Sequence, residues 1–521
     1  MNLARLLSAT ARHHPDHVAV SWGSQERTYA ELNGRVDRLV AAFGALGLQR
    51  GDRVGFLLWN RPELLEVAFA CFRAGLCVVP LNARFNAEEV IYHLGDPRAA
   101  ALVHGPEFAD LVAEASDRLD SVRHVLHVGE PAPRVVGARL HEYEDALAAQ
   151  PHADDRTIEV DADELCWLFY TSGTTGRPKG AMLTHGNLLF VAMGWVVDLM
   201  PLTPNDVTLH AAPLTHGAGF HALAAVAKGC RQVLAQEPSF DPDAILELME
   251  RERVTNTWMV PTQVHRLINA PSLPDRDLSA LHSLLYGGAP MHVEDLTLAI
   301  ERLGPVLVQI YGQGETPMTG TYLPQHEHVL GDPHAQRRLA SAGYARTALD
   351  IGIVDEDDRP LPNGEMGEVV VRGPSVMTGY WERPEESAQA LQGGWLHTGD
   401  IGRLDERGYL YLLDRKKDLI ISGGANVYAR EVEEVLLRHP GVDQAAVIGV
   451  PDREWGERVV AVVVVGRDQP SDSQAARALI DHCGGSLASY KKPKQVDFVD
   501  ELPVSAYGKV LKRELRARYA G

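Results

Sequence analysis

The chain has 521 residues, which is too many for one hydrophobic core, so we expect at least two domains. Its formal net charge of −20 at pH 7, within an ordinary globular composition, argues against nucleic acid or an anionic membrane as its main partner. The five scattered cysteines include no C-x-x-C pair, and we find neither a signal peptide nor an apolar run of about 18 residues, so we expect a cytoplasmic protein with reduced thiols and no membrane span.

The first part of the chain alternates between helix and strand patterns. Thr28 and Glu31 form a capping-box pattern ahead of a helix that ends near Gly47. Further helices are predicted at 62–74 and 87–94, and strands at 53–58, 77–80, 100–103 and 122–128. This alternation predicts an α/β domain with a mostly parallel sheet.

A loop of unusual composition, residues 170–180, follows a buried strand predicted at 165–169. It contains four aliphatic hydroxyl groups, three glycines and two cations. The glycines let several backbone N–H groups point toward one place, where the hydroxyl groups and Lys179 would also attract an anion. The loop lacks the Walker spacing. It therefore predicts a polyphosphate-binding loop of another kind, with a solvated surface loop as the alternative.

Three later strands each run into a loop that contains glycine. The strands are predicted at 208–212, 284–286 and 306–310, and their loops at 213–221, 287–290 and 311–316. Helices are predicted at 183–199 and 244–253, and one more strand at 256–260. In open α/β sheets ligands bind outside the carboxyl ends of the strands, so we expect the three loops to meet at one cleft.

The character of the sequence changes near Leu349. Short strands joined by turns predict an all-β subdomain, and about 100 residues after the charged run 414–418 have a compact α+β pattern. We expect an N-terminal domain over 1–414, a hinge over 415–417 and a C-terminal domain over 418–521.

Five motifs, in this order along the chain, resemble those of the adenylate-forming superfamily, which includes acyl-CoA synthetases, nonribosomal peptide adenylation domains and firefly luciferases. They are the loop 170–180, Tyr311-Gly312-Gln313-Gly314-Glu315, Thr398-Gly399-Asp400, the charged run 414–418, and Tyr507-Gly508-Lys509. The resemblance extends over essentially the whole chain. It implies a large N-terminal domain of mixed α/β sheets plus a β-subdomain, and a small mobile α+β C-terminal domain.

The resemblance also implies the reaction of an ATP-dependent carboxylic acid–CoA ligase. Such an enzyme forms acyl-AMP and pyrophosphate, and then acyl-CoA and AMP. The implied cofactors are ATP, Mg²⁺ and coenzyme A. The implied catalytic residues are Lys509, Glu315, Thr171 and His216, with Glu315 and Thr171 as the candidates for holding Mg²⁺. Lys509 would bridge the substrate carboxylate and the α-phosphate, and His216 would gate the acyl pocket.

The cofactor contacts implied by the resemblance come from all parts of the chain. The residues expected to bind the phosphates of ATP are Thr171, Ser172, Gly173, Thr174, Thr175 and Lys179. Gly288, Ala289 and Pro290 would flank the adenine, Asp400 would bind the ribose hydroxyls, and Arg415 would donate to the ribose or a phosphate. Further nucleotide contacts are expected from Gln309, Tyr311, Gly312, Thr316 and Leu412. Lys417 would act as the hinge, and Ser422, Gly423 and Gly424 would line a thiol tunnel.

The acid itself is less well defined. It should lie near 216–222, 286–289 and 309–318, where small residues leave room and no acidic residue is placed to bind an amino group. We therefore expect a neutral aliphatic or aryl acid, such as a cinnamate, and regard His185, His210 and His221 as structural. A stand-alone ligase that passes the acyl group to a carrier protein or another nucleophile remains open, as does a homodimer. A non-catalytic binding homologue is disfavoured because the key residues are all present, namely Lys179, Glu315, Asp400, Arg415 and Lys509.

Overall fold

The computed structural model describes residues 1–150, 157–171, 177–236, 239–289, 291–422, 425–453, 455–466, 469–504 and 510–519, apart from the side chain of residue 417. The first elements are α1 (Arg5–His13), β1 (Val18–Trp22), β2 (Gln25–Thr28), α2 (Tyr29–Ala45), β3 (Arg53–Leu57), α3 (Pro62–Ala74), β4 (Cys77–Pro80), α4 (Ala87–Gly95), β5 (Ala101–His104), α5 (Ala109–Ala115), β6 (His124–His127), β7 (Arg139–Glu142) and α6 (Tyr143–Ala148).

The central elements are β8 (Leu165–Thr171), β9 (Lys179–Thr184), α7 (His185–Gly194), β10 (Val207–His210), α8 (Gly217–Lys228), β11 (Arg231–Leu234), α9 (Pro242–Arg251), β12 (Asn256–Met259), α10 (Pro261–Ile268), β13 (Ser283–Gly287), α11 (Val293–Leu303), β14 (Leu307–Tyr311), β15 (Thr321–Leu323), α12 (Ala335–Leu339) and β16 (Tyr344–Ala345).

The remaining elements are β17 (Asp350–Val354), β18 (Gly367–Arg372), α13 (Pro384–Ala390), β19 (Leu396–Leu404), β20 (Leu410–Arg415), β21 (Ile420–Ser422), β22 (Ala425–Val427), α14 (Ala429–Leu437), β23 (Val442–Asp452), β24 (Gly456–Val465), α15 (Ser473–Gly484), β25 (Gln495–Phe498) and α16 (Lys512–Tyr519). Among all these helices, none in the described ranges is long and apolar enough to cross a membrane.

Two large sheets form the N-terminal part of the molecule. One has the strand order β7-β6-β5-β3-β4-β8-β9 and is parallel except at β8–β9. The other has the order β16-β15-β14-β13-β12-β10-β11-β1-β2 and is parallel from β14 to β1. One hydrophobic core contains residues of both sheets and of α3, whose residues from Pro62 to Arg73 are all buried. The predicted α/β architecture is therefore confirmed.

Several local predictions agree with the structure. The hydroxyl of Thr28 accepts a hydrogen bond from the backbone of Glu31, whose carboxylate accepts one from Thr28 in return, so the capping box starts α2 as predicted. The predicted helix at 62–74 and strand at 77–80 have the observed bounds. Strands β17–β20 form the predicted antiparallel β-subdomain.

Several elements differ from the sequence prediction. The hairpin of β1 and β2 was not predicted, and neither was β9, which pairs antiparallel with β8 before α7 begins at His185. The loop predicted over 213–221 also contains the first turn of a helix, α8. Gly217 and Gly219 weaken the helical pattern there, but a Cβ at Gly219 would lie 2.4 Å from the carbonyl oxygen of Leu214. The helix thus needs glycine for close packing.

The C-terminal sheet is separate from the others and consists of β21 to β25, with β23 and β24 as its long antiparallel pair. Arg415 is the last residue of β20 in the β-subdomain, and Ile420 is the first residue of the new sheet. The domain boundaries at 414 and 418 remain a proposal.

Candidate active site

Glu315 lies buried where three chain segments meet. Its Oε1 accepts a 2.8 Å hydrogen bond from the hydroxyl of Thr171, at the end of β8, and a 2.9 Å bond from the hydroxyl of Tyr380. Burial, followed by the charge of Glu315, raises the pKa of Tyr380 above its ordinary value, so that hydroxyl stays protonated and donates. The other side-chain oxygen of Glu315 has no hydrogen-bond partner within the described ranges.

The two ends of the predicted phosphate loop are held side by side. Thr171 and Lys179 are direct partners in the β8–β9 ladder, and Nζ of Lys179 lies 5.2 Å from the ring centroid of Tyr380. Thr171, Glu315, Lys179 and Tyr380 therefore surround the entrance to the loop. Ser172, Gly173, Thr174 and Thr175 lie outside the described residues, so their proposed phosphate contacts remain predictions.

A polar network supports this loop from the opposite side of β8. The hydroxyl of Tyr170 donates to Oδ2 of Asp96 at 2.7 Å, and Arg383 donates to Oδ1 at the same distance. The hydroxyl of Tyr92 donates to the carbonyl oxygen of Pro178 at 2.6 Å. These contacts fix both ends of the loop to α4 and to the segment that precedes α13.

Asp400 forms the centre of a second cluster. Its Oδ2 accepts from the hydroxyl of Tyr311 at 2.7 Å and from Nε2 of Gln313 at 2.8 Å, and its Oδ1 lies 3.3 Å from Nε of Arg415. The charge of Asp400 raises the pKa of Arg415, whose side chain is still 41% exposed and can reach a ligand. The structure thus brings together Asp400, Arg415 and Tyr311, and it adds Gln313.

The residues predicted around the adenine form tight backbone contacts. A Cβ at Gly287 would lie 2.3 Å from the carbonyl oxygen of Ile310, and Gly288 has a φ of +81°. A Cβ at Gly312 would lie 2.4 Å from the backbone nitrogen of Thr319. Glycine is therefore required for the close approach of these strands and loops.

The other predicted nucleotide contacts differ in their surroundings. Oε1 of Gln309 is buried and has no hydrogen-bond partner within the described part of the chain, so it is available to a ligand. The hydroxyl of Thr316 accepts from the backbone of Gln313 at 3.2 Å, which stabilises the loop. Leu412 packs beside Tyr311, and Ala289 is exposed. Pro290 lies outside the described residues.

The C-terminal site residues are only partly described. Ser422 is buried and its hydroxyl has no hydrogen-bond partner among the described residues, whereas its neighbour Ile421 is 54% exposed. Gly423, Gly424 and Lys509 lie outside the described ranges, as does the side chain of Lys417. The hinge, tunnel and lysine predictions for these four residues are therefore retained as predictions.

His216 occupies the N-terminal end of α8, where its ring centroid lies 4.8 Å from that of Phe169. A narrow cavity is lined by Pro80, Phe85, His93, Leu168, Phe169, Tyr170, Thr215 and His216. The ring of His216 thus contacts β8 and lines this cavity, and its role as a gate of the acyl pocket remains a prediction.

Trp258, a residue that the sequence did not single out, packs between the predicted acid loops. A Cβ at Gly217 would lie 2.5 Å from Sδ of Met318 and 3.5 Å from the Trp258 ring, and a Cβ at Gly288 would lie 3.8 Å from that ring. The indole is therefore a flat wall between the His216 loop and the adenine loop. Tryptophan in a strand is usually core, so only its spatial neighbours reveal this position.

Glu315 offers the kind of ligand that Mg²⁺ prefers, a carboxylate oxygen. No group of three or more metal-binding side chains occurs among the residues that the structure describes. Mg²⁺ commonly uses one or two carboxylates together with substrate phosphates and water, so Glu315 beside the phosphate loop is sufficient. The hydroxyl of Thr171 donates a hydrogen bond to the same carboxylate.

A buried carboxylate beside the predicted phosphate loop and a second one at the candidate ribose site are the arrangement that an adenylate-forming enzyme requires. The chain belongs to the AMP-binding enzyme family, whose model matches residues 7–381, and the model of the AMP-binding enzyme C-terminal domain matches residues 431–509. The family and the acyl-CoA synthetase branch predicted from the sequence are confirmed.

Similar proteins share this chain's full length. A feruloyl-CoA synthase from Amycolatopsis sp is 41% identical over 512 residues, covering 98% of this chain and 97% of that protein. An indoleacetate–CoA ligase from Aromatoleum aromaticum is 36% identical over 516 residues, covering 99% and 98%. The structure of the amide bond synthetase McbA from Marinactinospora thermotolerans matches with a TM-score of 0.88 and 32% identity, covering 100% of both chains.

Proposed function

We propose that this acyl-CoA synthetase activates an aryl carboxylic acid of the cinnamate type with ATP and Mg²⁺ and transfers the acyl group to coenzyme A. The loop 311–316 carries the proposal. Tyr311 and Gln313 hold Asp400, and two residues later Glu315 holds Thr171. One short loop therefore connects the group proposed for the ribose with the group proposed for the phosphates, and this suits a nucleotide bound between them.

In the first step a carboxylate oxygen of the acid attacks the α-phosphorus of ATP. A new P–O bond forms, the bond from the α-phosphorus to the bridging oxygen breaks, and pyrophosphate leaves. Lys179 and the loop 172–176 would oppose the charge on the departing phosphates. Mg²⁺ at Glu315 would neutralise further phosphate charge. Lys509 would hold the carboxylate and the α-phosphate together.

In the second step the thiol sulfur of coenzyme A attacks the acyl carbon, and the bond from that carbon to the AMP oxygen breaks. AMP leaves with the bonding electrons, and the thiol proton passes to solvent. The C-terminal domain would rotate about 415–417 between the steps. Ser422 and its neighbours would then line the path of the thiol.

The choice of an aryl acid is supported by two observations. The relatives named above include a feruloyl-CoA synthase and an indoleacetate–CoA ligase, and both names specify aromatic acids. The aromatic side chain of Trp258 lies next to Gly217 and Gly288, which belong to the loops predicted to line the acid site. The amide bond synthetase McbA keeps a second candidate open, in which an amine replaces coenzyme A as the acceptor.

Pyrophosphate release and thioester formation together test the proposed function. Cinnamic, indoleacetic and aliphatic acids are each supplied with ATP and Mg²⁺, with and without coenzyme A, and the products are separated by chromatography. We expect pyrophosphate and acyl-CoA with the aromatic acids. Pyrophosphate without thioester would contradict the coenzyme A step, and added amines or carrier protein would then identify the acceptor.

We also propose a cytoplasmic location and a homodimer. All five cysteines are free and buried, which suits a reducing compartment. Light scattering coupled to gel filtration measures the mass in solution. A mass equal to one chain would contradict the dimer.

A further inference from the structure

Tyr380 contacts both of the oppositely charged side chains at the entrance to the predicted phosphate loop. Its hydroxyl donates a 2.9 Å hydrogen bond to Oε1 of Glu315, and its ring centroid lies 5.2 Å from Nζ of Lys179. A phenol carries a hydroxyl donor at one end and a partial negative charge on its ring face, so it can hold an anion and a cation at the same time. One neutral side chain therefore connects the candidate metal ligand with the candidate phosphate ligand.

The main chain around Tyr380 is fixed on several sides. Residues 377–381 run beside β9, where Tyr380 lies opposite Ala181, and backbone hydrogen bonds of 2.8 to 3.1 Å join this segment to residues 180–182. The backbone nitrogen of Met377 donates to the carbonyl oxygen of Glu315 at 2.8 Å. The backbone nitrogen of Tyr380 donates to the hydroxyl of Ser387 at 2.8 Å. The position of the phenol is thus set before any ligand binds.

Lys179 and Glu315 are close enough in the fold to attract each other. Thr171 lies directly opposite Lys179 in the β8–β9 ladder, and side chains in such a pair have Cβ atoms about 5 Å apart. The hydroxyl of Thr171 is hydrogen-bonded to Glu315. Nevertheless, no ion pair joins Lys179 to Glu315 among the residues that the structure describes. Tyr380 contacts both side chains instead.

An ion pair between Lys179 and Glu315 would weaken both of their proposed roles. The ammonium group would occupy the carboxylate that is proposed to hold Mg²⁺, and the carboxylate would neutralise the cation that is proposed to bind phosphate. With Tyr380 in place, the hydroxyls of Thr171 and Tyr380 both donate to Oε1 of Glu315. Hydrogen bonds to one oxygen orient a carboxylate and leave its other oxygen for a metal ion.

We propose that Tyr380 is a positioning residue with two effects. It orients Glu315 so that Oε2 is available to Mg²⁺, and it prevents Lys179 from pairing with that carboxylate. The inference rests on the proposed function, which assigns Mg²⁺ to Glu315 and the phosphates of ATP to Lys179.

Tyr380→Phe tests the first effect, because it keeps the ring beside Lys179 and removes only the hydroxyl. The probe is Mn²⁺ in the presence of an equimolar, non-hydrolysable ATP analogue with a methylene bridge between the α- and β-phosphates. The signal of free Mn²⁺ in electron paramagnetic resonance gives the Kd, and a sample without protein gives the Mn²⁺ held by the analogue alone. We expect the Kd for Mn²⁺ to rise about tenfold.

Steady-state kinetics of Tyr380→Phe supply a second readout. The Mg²⁺ concentration that gives half-maximal pyrophosphate release should rise, while kcat at saturating Mg²⁺ and the KM for ATP change little. A general loss of structure would lower kcat as well, so this split distinguishes a positioning role from a merely structural one.

Tyr380→Leu tests the second effect, because it removes the ring that contacts Lys179. We expect the ion pair between Lys179 and Glu315 to form in this variant, so that binding of Mn²⁺ and of the ATP analogue both weaken. Adding Lys179→Met to Tyr380→Leu removes the competing cation. The double variant should therefore bind Mn²⁺ more tightly than Tyr380→Leu does.

Tyr143→Phe is the matched control. The hydroxyl of Tyr143 also donates to a buried glutamate, Glu66, at 2.8 Å, and Glu66 keeps its ion pairs with Arg27 and Arg35 when that hydroxyl is removed. Tyr143 lies in α6, a helix that supplies no residue of the candidate site. We expect this variant to bind Mn²⁺ as the unaltered protein does. Thermal unfolding of every variant measures any loss of stability separately.

The outcomes distinguish the inference from the proposed function. Unchanged Mn²⁺ binding in Tyr380→Phe, together with weaker binding in Glu315→Gln, would overturn the orienting role and leave the metal assignment intact. Unchanged binding in both variants would mean that the metal assignment is itself wrong. If Lys179→Met fails to strengthen Mn²⁺ binding in the Tyr380→Leu protein, Tyr380 does not keep the two charges apart.

Discussion

The hydroxyl of Thr171 donates a 2.8 Å hydrogen bond to Oε1 of Glu315 and thereby joins the end of β8 to the loop after β14. Each of these strands belongs to a different large sheet. The candidate phosphate and metal site therefore lies where the two sheets meet. Its geometry depends on their relative positions, because no single segment supplies both groups.

Replacing Glu315 by Gln should strongly impair acyl-AMP formation. The substitution keeps the shape and the acceptor for Thr171 and Tyr380 but removes the charge proposed to hold Mg²⁺. We expect a loss of about 100-fold or more in kcat/KM for pyrophosphate release and a higher Mg²⁺ requirement. Pyrophosphate release measured over a range of Mg²⁺ concentrations checks both effects, and the exposed Glu365→Gln is the control. An unchanged Mg²⁺ dependence would contradict the metal assignment.

Replacing Asp400 by Asn should weaken ATP binding. Asp400 accepts from Tyr311 and Gln313 and pairs with Arg415, so its loss leaves buried donors without a charged acceptor. We expect the KM for ATP to rise at least about tenfold and the free energy of unfolding to fall by about 1–3 kcal/mol. Steady-state kinetics and urea unfolding measure these quantities.

Tyr311→Phe is the companion variant for the same cluster. It removes one donor but keeps the carboxylate of Asp400 for the ribose, so its KM for ATP should change less than that of Asp400→Asn. Equal increases in both variants would mean that Asp400 acts only through the shape of the loop.

Local patterns sufficed to predict the elements whose signals lie close together in sequence. The capping box of Thr28 and the helix Pro62–Ala74 depend on neighbouring residues, and both agree with the structure. Helix α8 was not predicted because Gly217 and Gly219 are unfavourable in helices. The close contacts of Gly219 with Leu214 and Trp167 explain why glycine is needed at that position.

The residues of the candidate site also divide into those that lie in local sequence motifs and those that only folding brings together. Glu315 and Asp400 could be predicted because each lies in a short motif. Tyr380 donates to Glu315 from 65 residues away, and its segment has no pattern that specifies this role.

The free energy of unfolding should decrease as the pH falls from about 6.5 toward 4. Burial lowers the pKa of five histidines, His93, His104, His185, His210 and His328, to about 4. These side chains remain neutral in the folded protein while the unfolded chain binds protons, so acid favours unfolding. Stability from this source is complete above about pH 6.5 and is lost by about pH 4.

Urea unfolding at pH 7.5, 6.0 and 5.0 measures this dependence. His104→Phe removes one of the five groups and should make the decrease shallower, whereas replacement of the exposed His326 should not. A free energy of unfolding that is constant between pH 7.5 and 5.0 would contradict the buried neutral state.

Lys509→Ala should separate the two half-reactions. Lys509 is proposed to neutralise the carboxylate and the α-phosphate as they approach, a contact that matters only while acyl-AMP forms. We expect acyl-AMP formation to be nearly abolished while conversion of supplied acyl-AMP to acyl-CoA is largely kept. Lys512→Ala is a neighbouring control, since Lys512 pairs with Glu433. Equal losses in both half-reactions would refute the assignment.

Lys417→Pro should have the opposite effect. Residue 417 lies in a short 3₁₀ turn, Lys416–Asp418, between the last strand of the β-subdomain and the first strand of the C-terminal sheet. Proline fixes φ near −65° and so restricts the backbone rotation that the second step is proposed to need. We therefore expect acyl-AMP formation to persist and thioester formation from supplied acyl-AMP to fall by about 100-fold or more.

Single-turnover measurements of each half-reaction check this, with Lys417→Ala as the control that keeps the backbone free. A proline variant in which both steps proceed normally would place the hinge elsewhere in the chain.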